Sequence, residues 1–350
     1  MPVLLLVILC LLGSACDRPA PTPASTNATL ILWNWTDYMT ESVLDGFHRE
    51  TGITVEQRFF DDDEILFGAV QGSDFDGDMF IISETLGREM IAARLVAPLD
   101  ADLLPNLKHV DKDSLELCFH DGQLYSVPYL AGTTGVAVNT RYVEDGADSW
   151  TVLWDKRFAG HLAMLDNNFE VVAAASLKLG HGVIPANPQQ FAAVERELLH
   201  QRPLLKGYLS ADEIIEQLVN GELWAAQLYS GDALAATERN PELRYIVPRE
   251  GAARWHDLIM VARTSRHPLE AQMFMNYLHR PEVMAELSAA LYFPTSNAQA
   301  RKLIPAEVLA DPNVYPPPEI LARCAFFPVS FPDGTSTQRI SEIWNTLSAP

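Results

Sequence analysis

Apolar and polar residues near the beginning of the chain follow a pattern that predicts strands and helices in alternation. The apolar run at residues 30–33 predicts a strand, and Val43, Leu44 and Phe47 have the spacing of one helix face. Gly52 predicts the end of that helix, because glycine readily adopts the left-handed conformation found after helix ends. The pattern continues with a strand at 53–59, a helix at 64–71, a strand at 78–82 and a helix at 84–94. This βαβαβ order predicts a parallel sheet with helices on both faces.

A second alternating block follows residue 160, and we expect two domains because 350 residues exceed one comfortable core. Residues 134–138 and 258–261 predict strands, and each is a candidate connection between the blocks. The other predicted strands are 125–129, 161–165, 223–228 and 243–247, and the other predicted helices are 169–179, 188–200, 211–220, 269–278, 283–291 and 336–347.

The first 28 residues differ in composition from the rest. The apolar run at 3–12 is too short to span a bilayer and has the length of a signal-peptide core. Small residues and then Cys16 follow, an arrangement that resembles a bacterial lipoprotein signal. We therefore expect a signal peptide at 1–15, lipidation of Cys16 and a Pro/Ser/Thr-rich tether at 16–28. This predicts a periplasmic or cell-envelope protein, lipid-anchored at the outer face of the cytoplasmic membrane.

The charge balance excludes several partners. Lys and Arg number 25 and Asp and Glu 46, which gives a formal net charge of −21. Such a surface repels nucleic acid and anionic lipid, so we expect no nucleic-acid partner and membrane contact only through the lipid anchor. The nine His are scattered and no Cys-x-x-Cys pair occurs, so we expect neither a metal nor a cofactor. Nucleophile-elbow and Walker motifs are missing from the sequence, which argues against an enzyme.

Two cysteines remain once Cys10 is removed with the signal peptide and Cys16 is lipidated. Cys118 and Cys324 would then face an oxidising compartment, where a long-range disulfide can persist. Sequence gives no distance between them, so a disulfide and two free thiols both stay open.

Aromatic and acidic residues are concentrated in one turn after the first predicted strand, where Trp35, Asp37 and Tyr38 follow one another closely. Ligands bind at the carboxyl ends of strands in open α/β sheets. Aromatic faces beside a carboxylate suit an organic cation, through cation–π attraction and a charged hydrogen bond. The alternative is that the tryptophans are core residues and that Asp37 caps the next helix.

Short segments spread over residues 29–348 together carry a family resemblance. In this order and spacing, the chain resembles the periplasmic spermidine/putrescine-binding proteins of polyamine ABC transporters. The segments include Asn34-Trp35-Thr36-Asp37-Tyr38, Tyr125-Ser126-Val127-Pro128-Tyr129, Pro248-Arg249-Glu250-Gly251, Trp255-His256-Asp257 and Pro294-Thr295-Ser296-Asn297.

The resemblance implies an α/β fold of type II periplasmic-binding-protein topology. It implies two lobes, residues 29–137 plus 257–296 and residues 138–256 plus 297–350, each a mostly parallel sheet flanked by helices, with the ligand in the cleft between them. It further implies a monomeric, non-enzymatic substrate-binding component that delivers putrescine or spermidine to an ABC permease in the cytoplasmic membrane.

The resemblance also implies a ligand site whose composition is physically reasonable. Flat aromatic walls suit the methylenes of a polyamine, and spaced carboxylates suit its ammonium groups. Further candidates are Glu84 and Asn167. The residues that match the family contacts are Trp35, Asp37, Tyr38, Ser83, Glu170, Tyr229, Asp232, Trp255, Asp257 and Phe293.

Several alternatives stay open at this point. Glu170 and Asp232 could each be acids at a helix start, and the acidic run at 61–64 is interpreted as a solvated loop and helix start. Asn167 stands where the spermidine-binding branch has an acid, and Phe293 replaces a tyrosine, so the preferred amine is undecided. The ligand could be another small organic cation or amine, and the protein could be a polyamine sensor. Opine, aminophosphonate or thiamine binders share the fold, but the matched positions supply no cation for an anionic ligand.

Overall fold

The computed structural model describes residues 27–60, 63–144, 147–328 and 335–348. The strands are β1 (Thr29–Asn34), β2 (Thr54–Phe59), β3 (Met79–Ser83), β4 (Phe119–His120), β5 (Gln123–Leu124), β6 (Ser126–Asn139), β7 (Leu162–Leu165), β8 (Leu205–Leu209), β9 (Ala225–Tyr229), β10 (Leu243–Ile246), β11 (Ala253–Val261) and β12 (Ala325–Phe326). The α-helices are α1 (Glu41–Thr51), α2 (Asp63–Gln71), α3 (Glu84–Ala92), α4 (Lys112–Glu116), α5 (Asn168–Lys178), α6 (Pro188–Gln201), α7 (Ala211–Val219), α8 (Ser230–Arg239), α9 (Pro268–Leu278), α10 (Pro281–Leu291), α11 (Ala306–Ala310), α12 (Pro318–Leu321) and α13 (Thr335–Ser348).

A mixed sheet of ten strands runs through the molecule in the order β2-β1-β3-β11-β6-β9-β7-β8, with β10 added to β6 and β12 added to β11, and β4 pairs with β5 in a separate two-stranded sheet. The β1, β2 and β3 strands are parallel, as are β7, β8 and β9. The antiparallel strands β6 and β11 join these two parallel groups, and we refer to this pair as the hinge strands. The α/β class and the parallel pairing predicted for both blocks are confirmed.

The strand β6 departs from the prediction. We expected separate strands at 125–129 and 134–138, whereas one strand covers Ser126–Asn139. Pro128, Gly132 and Gly135 interrupt the sequence pattern, because proline and glycine are disfavoured inside strands. Both glycines lie against other segments: a Cβ on Gly132 would lie 2.3 Å from the Trp255 ring, and one on Gly135 would lie 2.4 Å from the Ile246 backbone oxygen and 2.7 Å from the Tyr245 hydroxyl.

The strand β11 is longer than predicted and carries the residues of most interest. The expected strand at 258–261 begins instead at Ala253. It pairs with β6 through a register shift between His256 and Leu258. Such an irregularity redirects a side chain locally, and Asp257 lies at this point.

Hydrophobic side chains form separate clusters on the two sides of the β6–β11 pair. One cluster draws on residues 28–130 and 258–304, and the others on residues 136–253 and 340–347. The residue limits predicted for the lobes stay a prediction. One difference is clear: Ala300 and Ile304 pack in the first cluster, although we assigned 297–350 to the second lobe.

The predicted signal peptide (1–15), the lipidated Cys16 and nearly all of the tether (16–28) lie outside the described residues. Among the residues that are described, none of the helices combines the length and apolar character needed to span a membrane.

Candidate functional site

The turn after β1 places one carboxylate in the open and one phenol in the interior. Asp37 is exposed and has φ +53°, a left-handed conformation that aspartate tolerates better than most residues. Tyr38 is buried, and its backbone oxygen accepts a 2.7 Å hydrogen bond from the Tyr129 hydroxyl. Trp35 is half-buried, with its ring centroid 4.3 Å from that of Phe60. Contacts with Tyr129 and Phe60 therefore hold the turn in place, while the Asp37 side chain is exposed.

Asp257 is a buried carboxylate, and the Tyr38 hydroxyl donates a 2.8 Å hydrogen bond to its Oδ2. The pKa of Asp257 is raised to about 7, mainly by burial. The negative charge of Asp63 adds to this rise, and the Tyr38 hydrogen bond opposes it. A carboxylate in this position is costly without a cation, because an ionised group loses its hydration on burial.

Ser83 and Asp63 adjoin this carboxylate. Ser83 ends β3 and is the strand partner of Asp257. Its hydroxyl donates a 2.5 Å hydrogen bond to Oδ2 of Asp63, the first residue of α2. Residues 61 and 62 of the acidic run lie outside the described residues. Asp63 begins α2, as interpreted, but it is half-buried and bonded to a candidate site residue. Sequence reasoning missed Asp63 as a member of this group.

The second carboxylate group begins with Glu170 in the first turn of α5, where it is 4% exposed. The Thr134 hydroxyl donates a 2.9 Å hydrogen bond to Oε1, whereas the buried Oε2 has no hydrogen-bond partner. The pKa of Glu170 is raised to about 8 by burial, although the Thr134 hydrogen bond opposes this rise. Asn167 caps this helix by accepting a 3.1 Å hydrogen bond from the Glu170 amide. The cap is thus Asn167, and the Glu170 carboxylate is available for another role.

Asp232 lies in the first turn of α8, directly after Tyr229 ends β9. Burial raises the pKa of Asp232 to about 7, and the charges of Asp212 and Asp37 raise it further. Asp37 follows β1 and Asp232 follows β9, so the charge of an acid from one parallel strand group raises the pKa of an acid from the other.

Aromatic rings connect these carboxylates in a continuous series. The centroid of Phe293 lies 5.4 Å from that of Tyr38 and 5.4 Å from that of Trp255, which in turn lies 5.8 Å from Tyr229. All three contacts are edge-to-face, a preferred arrangement for aromatic pairs. Gly231 permits the series, because a Cβ there would lie 2.5 Å from the Phe293 ring. The buried Nε1 of Trp255 has no hydrogen-bond partner, so a donor is available beside the rings.

Glu84 belongs to a different group of side chains. Its carboxylate lies 3.4 Å from Arg88 Nη2 and 3.5 Å from His256 Nδ1. This candidate is therefore already paired, unlike Glu170. In the described part of the chain, no Lys or Arg forms an ion pair with Asp37, Glu170, Asp232 or Asp257, and no group of three or more potential ligand residues is placed to hold a metal ion.

The structure gives both candidate disulfide cysteines as free thiols, which corrects the disulfide alternative. Cys118 is buried in the first hydrophobic cluster, where its Sγ lies 3.6 Å from the Ser114 carbonyl oxygen. Cys324 instead packs against a cluster of the other lobe, with Sγ 3.3 Å from the Ile320 carbonyl oxygen. Burial raises the pKa of Cys118 to about 12, so this thiol stays protonated near neutral pH.

Two lobes that share one sheet, with acids and aromatic rings close to the strands that join them, are typical of a solute-binding protein. A family model described as "Bacterial extracellular solute-binding protein" matches residues 77–310, and the chain belongs to that family.

The spermidine/putrescine-binding periplasmic protein 1 of Haemophilus influenzae is 31% identical over 308 residues, covering 87% of this chain and 85% of its own. The putrescine-binding periplasmic protein SpuD of Pseudomonas aeruginosa is 31% identical over 325 residues, covering 87% of this chain and 88% of its own. A solved structure from Listeria monocytogenes, provisionally named a spermidine/putrescine ABC transporter, superposes with a TM-score of 0.84 at 27% identity, covering 91% of this chain and 98% of that one. The family resemblance seen in the sequence is confirmed.

Proposed function

We propose that this protein is the substrate-binding component of an ABC import system and captures a polyamine between its lobes. The observation that carries the proposal is the set Asp37, Glu170, Asp232 and Asp257, four acids that have no cationic partner among the described residues. Three of them have raised pKa values because of burial. A ligand bearing two or more ammonium groups supplies the missing positive charge.

The geometry favours an amine with an apolar spacer over a compact cation. Asp257 lies at the first-lobe end, beside Tyr38 and Ser83, and Glu170 and Asp232 lie beyond the aromatic series. Methylene groups fit against the rings of Phe293, Trp255 and Tyr229, while the ammonium groups reach the acids. We propose that Trp35, Asp37, Tyr38, Ser83, Glu170, Tyr229, Asp232, Trp255, Asp257 and Phe293 contact the ligand, and we add Asp63 to this set.

We further propose a preference for putrescine over spermidine. Asn167 caps α5, so it brings no charge to the second lobe, and Phe293 offers no hydroxyl to a ligand nitrogen. A third ammonium group would therefore lack one carboxylate of the spermidine-binding branch. Delivery to a cytoplasmic-membrane permease by a lipid-anchored periplasmic monomer completes the proposal.

Calorimetric titration of the ligand-free protein with putrescine, cadaverine, spermidine, spermine, lysine and glucose tests this function. We expect the diamines to bind most tightly and glucose not to bind. Failure of every amine to bind would refute the proposal, and tighter binding of spermidine would refute only the diamine preference.

A further inference from the structure

A cavity of about 230 Å³ is lined by residues 131–133 of β6 and 254–256 of β11, Trp255 of the aromatic series among them. One water molecule needs only roughly 10–15 Å³ of such volume, so the cavity can hold a molecule of several heavy atoms. Successive residues of a strand project to opposite faces. The Trp255 ring therefore faces Phe293 and Tyr229, while Arg254 and His256 project to the other face and contact Phe326.

The charges that line this cavity leave a net excess of one positive charge. Arg301 is fully engaged, since its Nη1 and Nη2 donate hydrogen bonds of 2.8 and 3.0 Å to the two oxygens of Asp111. Arg254 has no carboxylate partner in the described part of the chain. Its guanidinium carbon lies 4.3 Å from the centroid of the Phe326 ring, and burial lowers the pKa of this arginine. An unpaired, half-buried arginine is unusual in a protein with a net charge of −21.

The rest of the lining is largely apolar, with hydroxyl groups at one side. Phe326, Val314 and Leu321 contribute apolar surface, and Thr295 and Tyr315 contribute hydroxyls. Arginine presents a planar fork that matches the two oxygens of a carboxylate. A ligand with one carboxylate and a compact apolar body would pair with Arg254 and cover the apolar walls.

We infer that this cavity, lined by Arg254, Phe326 and Arg301 behind the hinge strands, is a second ligand site that binds a small monocarboxylate with an apolar body. Trp255 lines this cavity and also contacts Phe293 and Tyr229, so the cavity adjoins the proposed amine site, and its independence from that site is tested by experiment. Its lining draws on residues 111–114 and 294–296 of the first lobe, on the strands β6 and β11, and on Ser230 of the second lobe, so a bound ligand would touch both lobes.

Calorimetric titration at fixed ionic strength with benzoate, butyrate, acetate, inorganic phosphate and the neutral isostere benzamide tests this inference. We expect benzoate to bind measurably, acetate to bind more weakly because it lacks the apolar body, and benzamide to bind at least tenfold more weakly because it lacks the charge. Equal binding of benzoate and benzamide, tighter binding of phosphate, or no heat with any carboxylate would overturn the inference.

Variants locate the site. We expect Arg254→Gln to weaken benzoate binding at least tenfold and Arg254→Lys to weaken it less, since lysine keeps the charge but not the fork. The exposed Arg196→Gln is the matched control and should bind as the wild type. Thermal melting of each variant confirms that it is folded, and undiminished binding by folded Arg254→Gln would contradict the assignment.

Separation from the amine site is tested independently. Asp257→Asn should bind benzoate as the wild type, and saturating putrescine should not abolish benzoate binding. Loss of benzoate binding in either experiment would show that benzoate occupies the amine site instead. Loss of putrescine binding alone would concern only the proposed polyamine function.

Discussion

The Tyr38 hydroxyl donates a 2.8 Å hydrogen bond to Oδ2 of Asp257, which joins the turn after β1 to the hinge strand β11. This bond lowers the pKa of a carboxyl that burial raises. It therefore helps to keep a buried acid ionised and oriented for a cation.

Replacing Tyr38 with Phe should weaken putrescine binding by about 10- to 100-fold. A hydrogen bond to a charged group contributes about 1.5–3 kcal/mol, and the variant leaves the Asp257 carboxylate without this donor. Calorimetric titration measures the change, and Tyr142→Phe on the surface of the second lobe is the matched control. Wild-type affinity in Tyr38→Phe would mean that the bond does not prepare the site.

Asp257→Asn should reduce putrescine affinity more than 100-fold while leaving the melting temperature of the ligand-free protein nearly unchanged. The variant removes a buried charge that has no cationic partner when the site is empty, so folding loses little. Exposed Asp45→Asn serves as the control in both measurements. Retained affinity in Asp257→Asn would remove this residue from the site.

Asp63→Asn should weaken putrescine binding about three- to tenfold, less than Asp257→Asn does. Asp63 accepts a hydrogen bond from Ser83, and its charge raises the pKa of Asp257, so it adds negative potential near one end of the ligand. The comparison is with exposed Asp74→Asn. If both variants bind equally well, Asp63 acts only at the start of α2.

Putrescine affinity should rise with pH between 6 and 8, and binding should release protons. Burial raises the pKa values of Asp232 and Asp257 to about 7 and that of Glu170 to about 8, so the empty site holds protons that the ammonium groups displace. The effect is about tenfold per pH unit for each carboxyl below its pKa. Titrations in buffers of different ionisation enthalpy count the released protons, and a pH-independent affinity would contradict the raised pKa values.

The same pKa values predict how stability depends on pH. The folded protein binds more protons than the unfolded chain between about pH 4 and pH 8, so these carboxyls contribute less stability as the pH rises through that window. We expect the melting temperature of Asp232→Asn/Asp257→Asn to depend less on pH than that of the wild type over pH 5 to 8. An identical slope in both proteins would exclude these two acids as the cause.

Gly132→Ala should lower both stability and putrescine affinity. A Cβ at this position would lie 2.3 Å from the Trp255 ring, so the ring must move, and overpacking of this kind costs about 1–3 kcal/mol. Gly68→Ala is the matched control, because α2 offers open space there and alanine favours a helix. Normal binding by Gly132→Ala would show that the Trp255 ring position does not matter for the ligand.

The local hydrophobic pattern was enough to predict most helices and strands other than the hinge strands β6 and β11. The α1 helix ends at Gly52, which has φ +76°, as its sequence position indicates. The pattern failed at β6, where Pro128 and the glycines suggest an interruption. Those glycines are explained by the Trp255 ring and by the Tyr245 and Ile246 atoms of a neighbouring strand, which no local window of sequence contains.

The candidate site was likewise predicted only in part, because its residues could be identified from the sequence but their contacts could not. The family resemblance identifies Asp257 and Glu170, but their environments depend on Tyr38 and Thr134, which contact them only in the folded chain. Asp63 was missed because the α2 start meets Ser83 through tertiary packing. From the sequence, Asn167 could be described only as a position where the spermidine-binding branch has an acid. The structure shows that its side chain caps α5.

The hydrogen-bonded pairing of β6 with β11 has a mechanical consequence. Two paired strands form a ribbon, so rotation of one lobe against the other is spread over several residues as a twist, while the ladder between Ser126–Thr134 and Ala253–Met260 stays intact. If the proposed ligand draws the lobes together, part of its binding free energy must twist this ribbon, and its release lets the ribbon untwist.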